Sequence, residues 1–404
     1  MKRGELESRV LILVTLALVA FGLVMVYSAT SAAAELGGQN PNHYLERQGL
    51  YAALGIALMV IAQRWDYRRL RLLAPTLVLA SLVLLAAVLV VGPAVNGARR
   101  WISFGPAVFQ PSEFAKLAFA VWAAAYLVRH PAPQTLRELA RPVGVLACVF
   151  SLLLLLEPDL GTAIALLLML AGMLLVGGTP GRALTGGLGV AAALGLAAIW
   201  VEPYRRARFF AFLHPSQDPQ GVSYQLMQAL IGMGSGGIFG VGLGQGVQKI
   251  FYLPEAHTDM MLANIGEELG LVGVAAVVAA YAVFAWAGLK IAAGCHDLFG
   301  KLLACGLTVL VCGQAAVNVA AVMGIAPLTG IPLPFLSYGG SSLVILLAAV
   351  GILLNIAQRG HAETGALRHR SRRDGRARAL GARRRRGAER ARRVRDVRRL
   401  AGSR

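Results

Sequence analysis

The chain has 404 residues, 57% apolar and 15% charged, with a formal net charge of +19 at pH 7. Soluble domains carry about 25% charged residues, whereas here the apolar residues fall in long blocks, many near the ~20 residues that cross a bilayer. That excludes a soluble enzyme, a secreted disulfide scaffold and a disordered chain, and predicts an all-α polytopic membrane protein.

Ten apolar blocks read as transmembrane helices, at 10–28, 45–63, 73–92, 113–129, 142–156, 160–176, 182–200, 260–289, 300–325 and 340–357. The first is long for a signal peptide and reads as a retained anchor. The fifth is short and Pro158 separates it from the sixth, so the pair is either a re-entrant turn or two steeply packed helices. The eighth is long enough to tilt or to project beyond the bilayer. These spans make residues 1–358 a ten-helix membrane domain, followed by an Arg-rich tail at 359–404. The tail carries 18 arginines against four acids, a net +14, which leaves +5 on the membrane body. It reads as a disordered extension held against anionic membrane lipids, with no nucleic acid expected.

Orientation follows from cations in alternate loops. One set holds 13 (Lys2, Arg3, Arg9, Arg64, Arg68, Arg69, Arg71, Arg129, Arg137, Arg141, Arg182, Lys290 and Lys301), and the other eight (Arg47, Arg99, Arg100, Lys116, Arg205, Arg206, Arg208 and Lys249). The larger set places both termini in the cytoplasm.

Three outer segments are unlike connectors. Residues 93–112 combine cations, an aromatic and Gly/Pro punctuation. Residues 201–259 form a large outer loop between the seventh and eighth spans, a length uncommon unless functional or folded in itself. Its GMGSGGIFGVGLGQG stretch suits tight helix packing or a re-entrant backbone, and lacks the GK[ST] of a phosphate loop. Residues 327–342, PLTGIPLPFLSYGGSS, are a rigid segment tolerated at membrane depth only if buried in protein or lining a wet cavity.

Acidic residues near the membrane are the informative class, because unpaired charges there are costly. Glu113 and Lys116 lie one turn apart, either an ion pair at the interface or a charged cavity wall. Asp159 suits an N-cap for the sixth span. Asp259 stands just before the eighth span, either as another cap or as a carboxylate whose pKa is raised at a half-dry interface. Glu267 and Glu268, inside that span, need partners and read as packing groups. Four cysteines and seven histidines give no CxxC and no HExxH, so a disulfide framework or zinc site is not expected. Together the outer loops could surround a cavity for an anionic, lipid-linked substrate, with Arg and Lys suited to pyrophosphate. Spacing alone does not choose between an enzyme, a lipid-precursor flippase and a non-catalytic scaffold. All the motif-bearing loops fall on the outer side, which favours the enzyme.

YSAT at 27–30, GARRWI at 97–102, QPSEFAKL at 110–117, EPDLGT at 157–162, YLPEAHTD at 252–259, IGEELGL at 265–271 and GIPLPFLSYGGSS at 330–342 resemble the SEDS (shape, elongation, division, sporulation) family of bacterial cell-wall proteins. The resemblance covers about residues 8–358 and is nearest to the division branch, with elongation and sporulation relatives as alternatives. It implies a peptidoglycan glycosyltransferase that polymerises lipid II into β-1,4 glycan on the outer face of the bacterial cytoplasmic membrane, at the division septum. It also implies Asp259 as general base, with Glu113 and Lys116 in the same cavity as catalytic groups. Candidate substrate contacts are Arg99, Arg100, Trp101, Gln110, Ser112, His257, Ser337 and Tyr338; Lys116, Arg99 and Arg100 are expected at the departing pyrophosphate. A divalent cation, Mg or Mn, is the implied cofactor, its ligands unassigned. The implied partners are lipid II, undecaprenyl-pyrophosphate-linked glycan, a class B penicillin-binding protein and other division proteins. The chain has neither SxxK nor KTG, so crosslinking must be done elsewhere.

Overall fold

The computed structural model describes residues 5–38, 40–94, 98–105, 107–215, 221, 223–250 and 252–360; the tail expectation lies outside them. In chain order the elements are α1 (Glu5–Leu36), α2 (His43–Arg64), α3 (Leu70–Val91), strands β1 (Ile102–Phe104) and β2 (Ala107–Phe109), α4 (Pro111–Arg129) and the short α5 (Leu136–Leu139). There follow α6 (Val145–Leu156), α7 (Leu160–Gly177), α8 (Gly181–Val201), α9 (Pro203–Leu213), α10 (Tyr224–Ser235), α11 (Met261–Gly294) and α12 (Leu298–Val322). The last helix is α13 (Gly340–Gly360).

Among the described residues, nine helical stretches are long and apolar enough to cross a membrane: α1, α2, α3, α5 with α6, α7, α8, α11, α12 and α13. The tenth expected span is α4, whose first turns carry Ser112, Glu113 and Lys116. Its neighbours α3, α7 and α12 cover it, and its alanines (Ala115, Ala118, Ala120, Ala123, Ala124, Ala125) let them approach closely. Lipid therefore never meets the polar inset. The same small-residue logic recurs at α11–α12, where Gly288 faces Thr308, and at α2–α13, where Gly55 faces Val344 and Leu347. α8 is the opposite case, burying only Ala183 and Ile199.

The short fifth span and the sixth are two packed helices, α6 and α7, joined by a turn at 157–159 rather than a re-entrant loop. The long eighth span is broken at Gly270, whose φ of 67° and ψ of −162° only glycine adopts readily. The outer segment at 93–112 contains a β-hairpin that the all-α expectation did not include, paired Ile102↔Phe109, Ser103↔Val108 and Phe104↔Ala107.

Alternating helices send their loops to two ends. At one end the α2–α3 and α11–α12 turns meet the end of α13. The backbone N–H of Tyr67 donates to Asn355 Oδ1 (3.0 Å), the Tyr67 hydroxyl to Asp297 Oδ2 (3.3 Å), and Arg359 pairs with Asp66 (3.0 Å). A cavity of about 380 Å³ opens there, lined by Val60, Gln63, Arg64, Asn355, Gln358 and Arg359. Asn355 and Arg359 are already engaged in this junction, and the candidate catalytic residues lie toward the other end, Asp259 before α11 and Glu113 and Lys116 in the first turns of α4.

Candidate active site

Three layers build the site: the start of α4 with the α6–α7 turn, the segment leading into α11, and the loop between α12 and α13. In the first, Lys116 Nζ donates to Glu113 Oε1 at 2.8 Å with both side chains fully buried. The pair is thus a buried ion pair rather than a solvent-exposed one, and Glu113 Oε2 has no partner among the described residues. Ser112 reaches Asp159 Oδ2 at 3.5 Å. Asp159 caps α7 as expected, accepting from Thr162 N (3.0 Å) and the Thr162 hydroxyl (2.8 Å).

The second layer is the chain from 236 to 260. The Gly-rich stretch is a re-entrant backbone inserted into the break in α11. Val241 N and Gly242 N donate to the carbonyls of Glu267 and Glu268 (both 3.0 Å), while Leu271 N and Val272 N donate to Gly237 O (2.9 Å) and Ile238 O (3.1 Å). Backbone groups freed by the broken helix are thereby paired inside the protein. Gly236 and Gly240 lie so close to the carbonyls of α11 that a Cβ would collide with them. Glu267 accepts from Val247 N (2.7 Å) and Gln248 N (3.2 Å). Glu268 accepts from Lys249 Nζ (2.5 Å) and the Ser28 hydroxyl (2.7 Å). The partners those two carboxylates needed are backbone donors, a lysine and a serine.

Asp259 follows ten residues later. α11 is N-capped at Met260 with no side-chain capping bond, so Asp259 is not spent on a helix terminus. Residues 255–260 close on themselves: Thr258 N and Met260 N donate to Glu255 O (3.1 and 3.3 Å). The carboxylate is half-buried, with the Thr258 hydroxyl at 3.3 Å from Oδ1. Burial, reinforced by the Glu255 charge and opposed by Arg208, pushes its pKa up to about 6. Burial holds His257 below the usual imidazole range, which keeps it neutral at pH 7.

In the third layer, Tyr338 N donates to His257 O (2.8 Å), and the rings of Tyr44, His257 and Tyr338 meet at 4.9–5.6 Å. Gln48 Nε2 donates to Ser337 O (3.2 Å), and the Tyr281 hydroxyl to Pro334 O. Asn318 of α12 donates to both Asp259 O (2.7 Å) and Ile331 O (2.8 Å).

Several expected substrate contacts have other work. Arg99 donates to Leu89 O and Val90 O at the end of α3 (both 3.2 Å), and Arg100 to Glu157 O (3.0 Å) and Pro158 O. The two guanidiniums therefore staple the hairpin to α3 and to the α6–α7 turn. Ser337 is buried, its Oγ accepting from Leu333 N (2.9 Å), so it holds a turn. Gln110 contributes its backbone N–H, to Ser341 Oγ (3.1 Å), and Trp101 is half-buried beside β1. Tyr44, Gln48 and Asn318 escaped the sequence reading. An amide deep in an apolar helix, as at 318, was the one available signal.

A family model described as cell cycle protein, spanning FtsW, RodA and SpoVE, matches residues 8–362. The chain belongs to this family. Within the FtsW/RodA/SpoVE family it is 40% identical over 362 residues to a probable peptidoglycan glycosyltransferase FtsW of Geobacter metallireducens, covering 89% of this chain and 96% of that one. It is 38% identical over 354 residues to stage V sporulation protein E of Bacillus subtilis, covering 86% and 96%. A solved structure titled as structural coordination of polymerization and crosslinking by a peptidoglycan synthase complex matches with a TM-score of 0.73 at 34% identity, covering 86% of this chain and 97% of that one. The family read from the seven motifs is borne out. Among the described residues no three His, Cys, Asp or Glu gather as a metal site.

Proposed function

We propose that this member of the family is a peptidoglycan glycosyltransferase that polymerises lipid II, with Asp259 as its general base. The observation that carries the assignment is the state of Asp259: half-buried, free of capping duty, raised to about 6, and set in a turn held from two sides. A base is most effective with a pKa near the working pH. The GlcNAc 4-hydroxyl of incoming lipid II attacks the anomeric carbon of the chain's MurNAc. The new O4–C1 bond forms with inversion as the bond to undecaprenyl pyrophosphate breaks, and Asp259 accepts the hydroxyl proton. Lys116 supplies a buried cation at the start of α4 to favour the departing charge, with Glu113 holding its ammonium. Glu113 Oε2, a carboxylate oxygen without a hydrogen-bond partner among the described residues, is the group that would hold a divalent cation here. The cation would supply charge neutralisation, and no step above runs through it.

The partner supported by this reading is a class B penicillin-binding protein, since the matched synthase structure couples polymerization to crosslinking and this chain has no transpeptidase motif. The site-bearing loops face outward, both termini are cytoplasmic, and the setting is the septum. The test is glycan polymerisation by the purified pair on lipid II. Asp259→Asn should lose about a hundredfold or more in kcat, and wild-type activity should fall as pH drops through about 6. Polymer from the variant at the wild-type rate would remove Asp259 from the chemistry. No polymer from either, with lipid II flipping in liposomes, would establish the transporter instead.

A further inference from the structure

We propose that Asn318 is a positioning residue that clamps the Asp259 turn and the α12–α13 loop into one unit. Its side chain is buried, and Nδ2 makes two bonds, to Asp259 O at 2.7 Å and to Ile331 O at 2.8 Å. Oδ1 has no partner among the described residues, so these two bonds set the amide's orientation. α12 packs on α4, α7 and α11 and gives both loops one stiff reference.

The turn itself is closed by bonds to Glu255 O. It therefore moves as a body, and what holds that body to its surroundings decides where the carboxylate stands. Among the described residues two polar ties do so: Asn318 to Asp259 O, and Tyr338 N to His257 O. Tyr338 belongs to the loop whose Ile331 carbonyl Asn318 also holds. One amide thus fixes the base directly and, through Ile331, steadies the loop carrying the second tie. Removing it lets turn and loop drift together, and a displacement near 1 Å costs about a hundredfold in rate.

The inference deepens the reading of Asp259 as base, and two readouts separate them. In the full chain with its partner, Asn318→Ala should lower kcat about tenfold to a hundredfold with KM for lipid II nearly unchanged. Backbone hydrogen exchange should rise in both 252–260 and 329–338, with 111–129 unaffected. Asn318→Ser, which retains one donor, is read in the same way should the alanine variant not fold. Unchanged exchange in the two segments, or a wild-type kcat, overturns the clamp. If exchange rises while Asp259→Asn still polymerises, the clamp stands and the base assignment falls.

Discussion

Glu157 sits in the turn between α6 and α7, fully buried, and neither carboxylate oxygen has a partner among the described residues. Burial first, and the Asp159 charge second, push its pKa up to about 8 against the opposing field of Arg100. At pH 7 it therefore keeps its proton, and a neutral acid is the form a buried, unpaired position accepts. In the unfolded chain the same group titrates near 4.5. Between those values the folded state binds the extra proton, so its contribution is full below about 4.5 and is lost as pH rises through about 8. Glu157→Gln mimics the protonated acid. Its thermal midpoint should match wild type near pH 4.5 and exceed it near pH 8.5, by an increment worth at most a few kcal/mol. A pH-independent difference would show that Glu157 is not the titrating group. Residues of this kind were only half legible in the sequence. Asp159 announced its cap through the Pro-Asp-x-Gly-Thr spacing, whereas Asn318 looks like any amide in an apolar helix until two distant carbonyls are brought to it.

Secondary elements divide along a similar line. Span lengths are fixed by bilayer thickness, so the long helices were readable from apolar blocks; the three-residue strands were too short to show a period. The Gly-rich stretch was readable as tight helix packing or a re-entrant backbone, without a choice between them, and its host, the break at Gly270, was not readable at all. Lys249 and Glu268 stand 19 residues apart and Ser28 a further 221 away, a separation that no periodicity reveals. The Lys249–Glu268 pair illustrates why buried charges are retained or removed together. Taking away one partner leaves the other uncompensated, at a cost of about 3–5 kcal/mol, while replacing both can be nearly neutral. Lys249→Met should therefore destabilise the protein by about 3 kcal/mol in thermal or denaturant unfolding, and adding Glu268→Gln should recover most of that loss. Additive losses in the double variant would mean that the two side chains are not coupled.

On the scale of the whole molecule, the structure sharpens the argument for orientation. The margin is thirteen cations against eight, but at least five of the eight are engaged within the fold. Arg99, Arg100 and Arg205 donate to backbone carbonyls, and Lys116 and Lys249 pair with buried carboxylates. A cation consumed inside the fold is no longer a loop charge of the kind that sets topology, so the weight of the opposite set, gathered with the Asp66–Arg359 junction, increases. With the termini in the cytoplasm, as proposed, the hairpin, the Asp259 turn and the α12–α13 loop would face outward. Two exposed positions at the two ends read this directly: Ser103 in β1 and Arg69 before α3. In intact cells a membrane-impermeant maleimide should label Ser103→Cys above the wild-type background and leave Arg69→Cys at that background, with Arg69→Cys reacting only after permeabilisation. The reverse pattern would put the polar loops in the cytoplasm, where an outer-face polymerase could not use them.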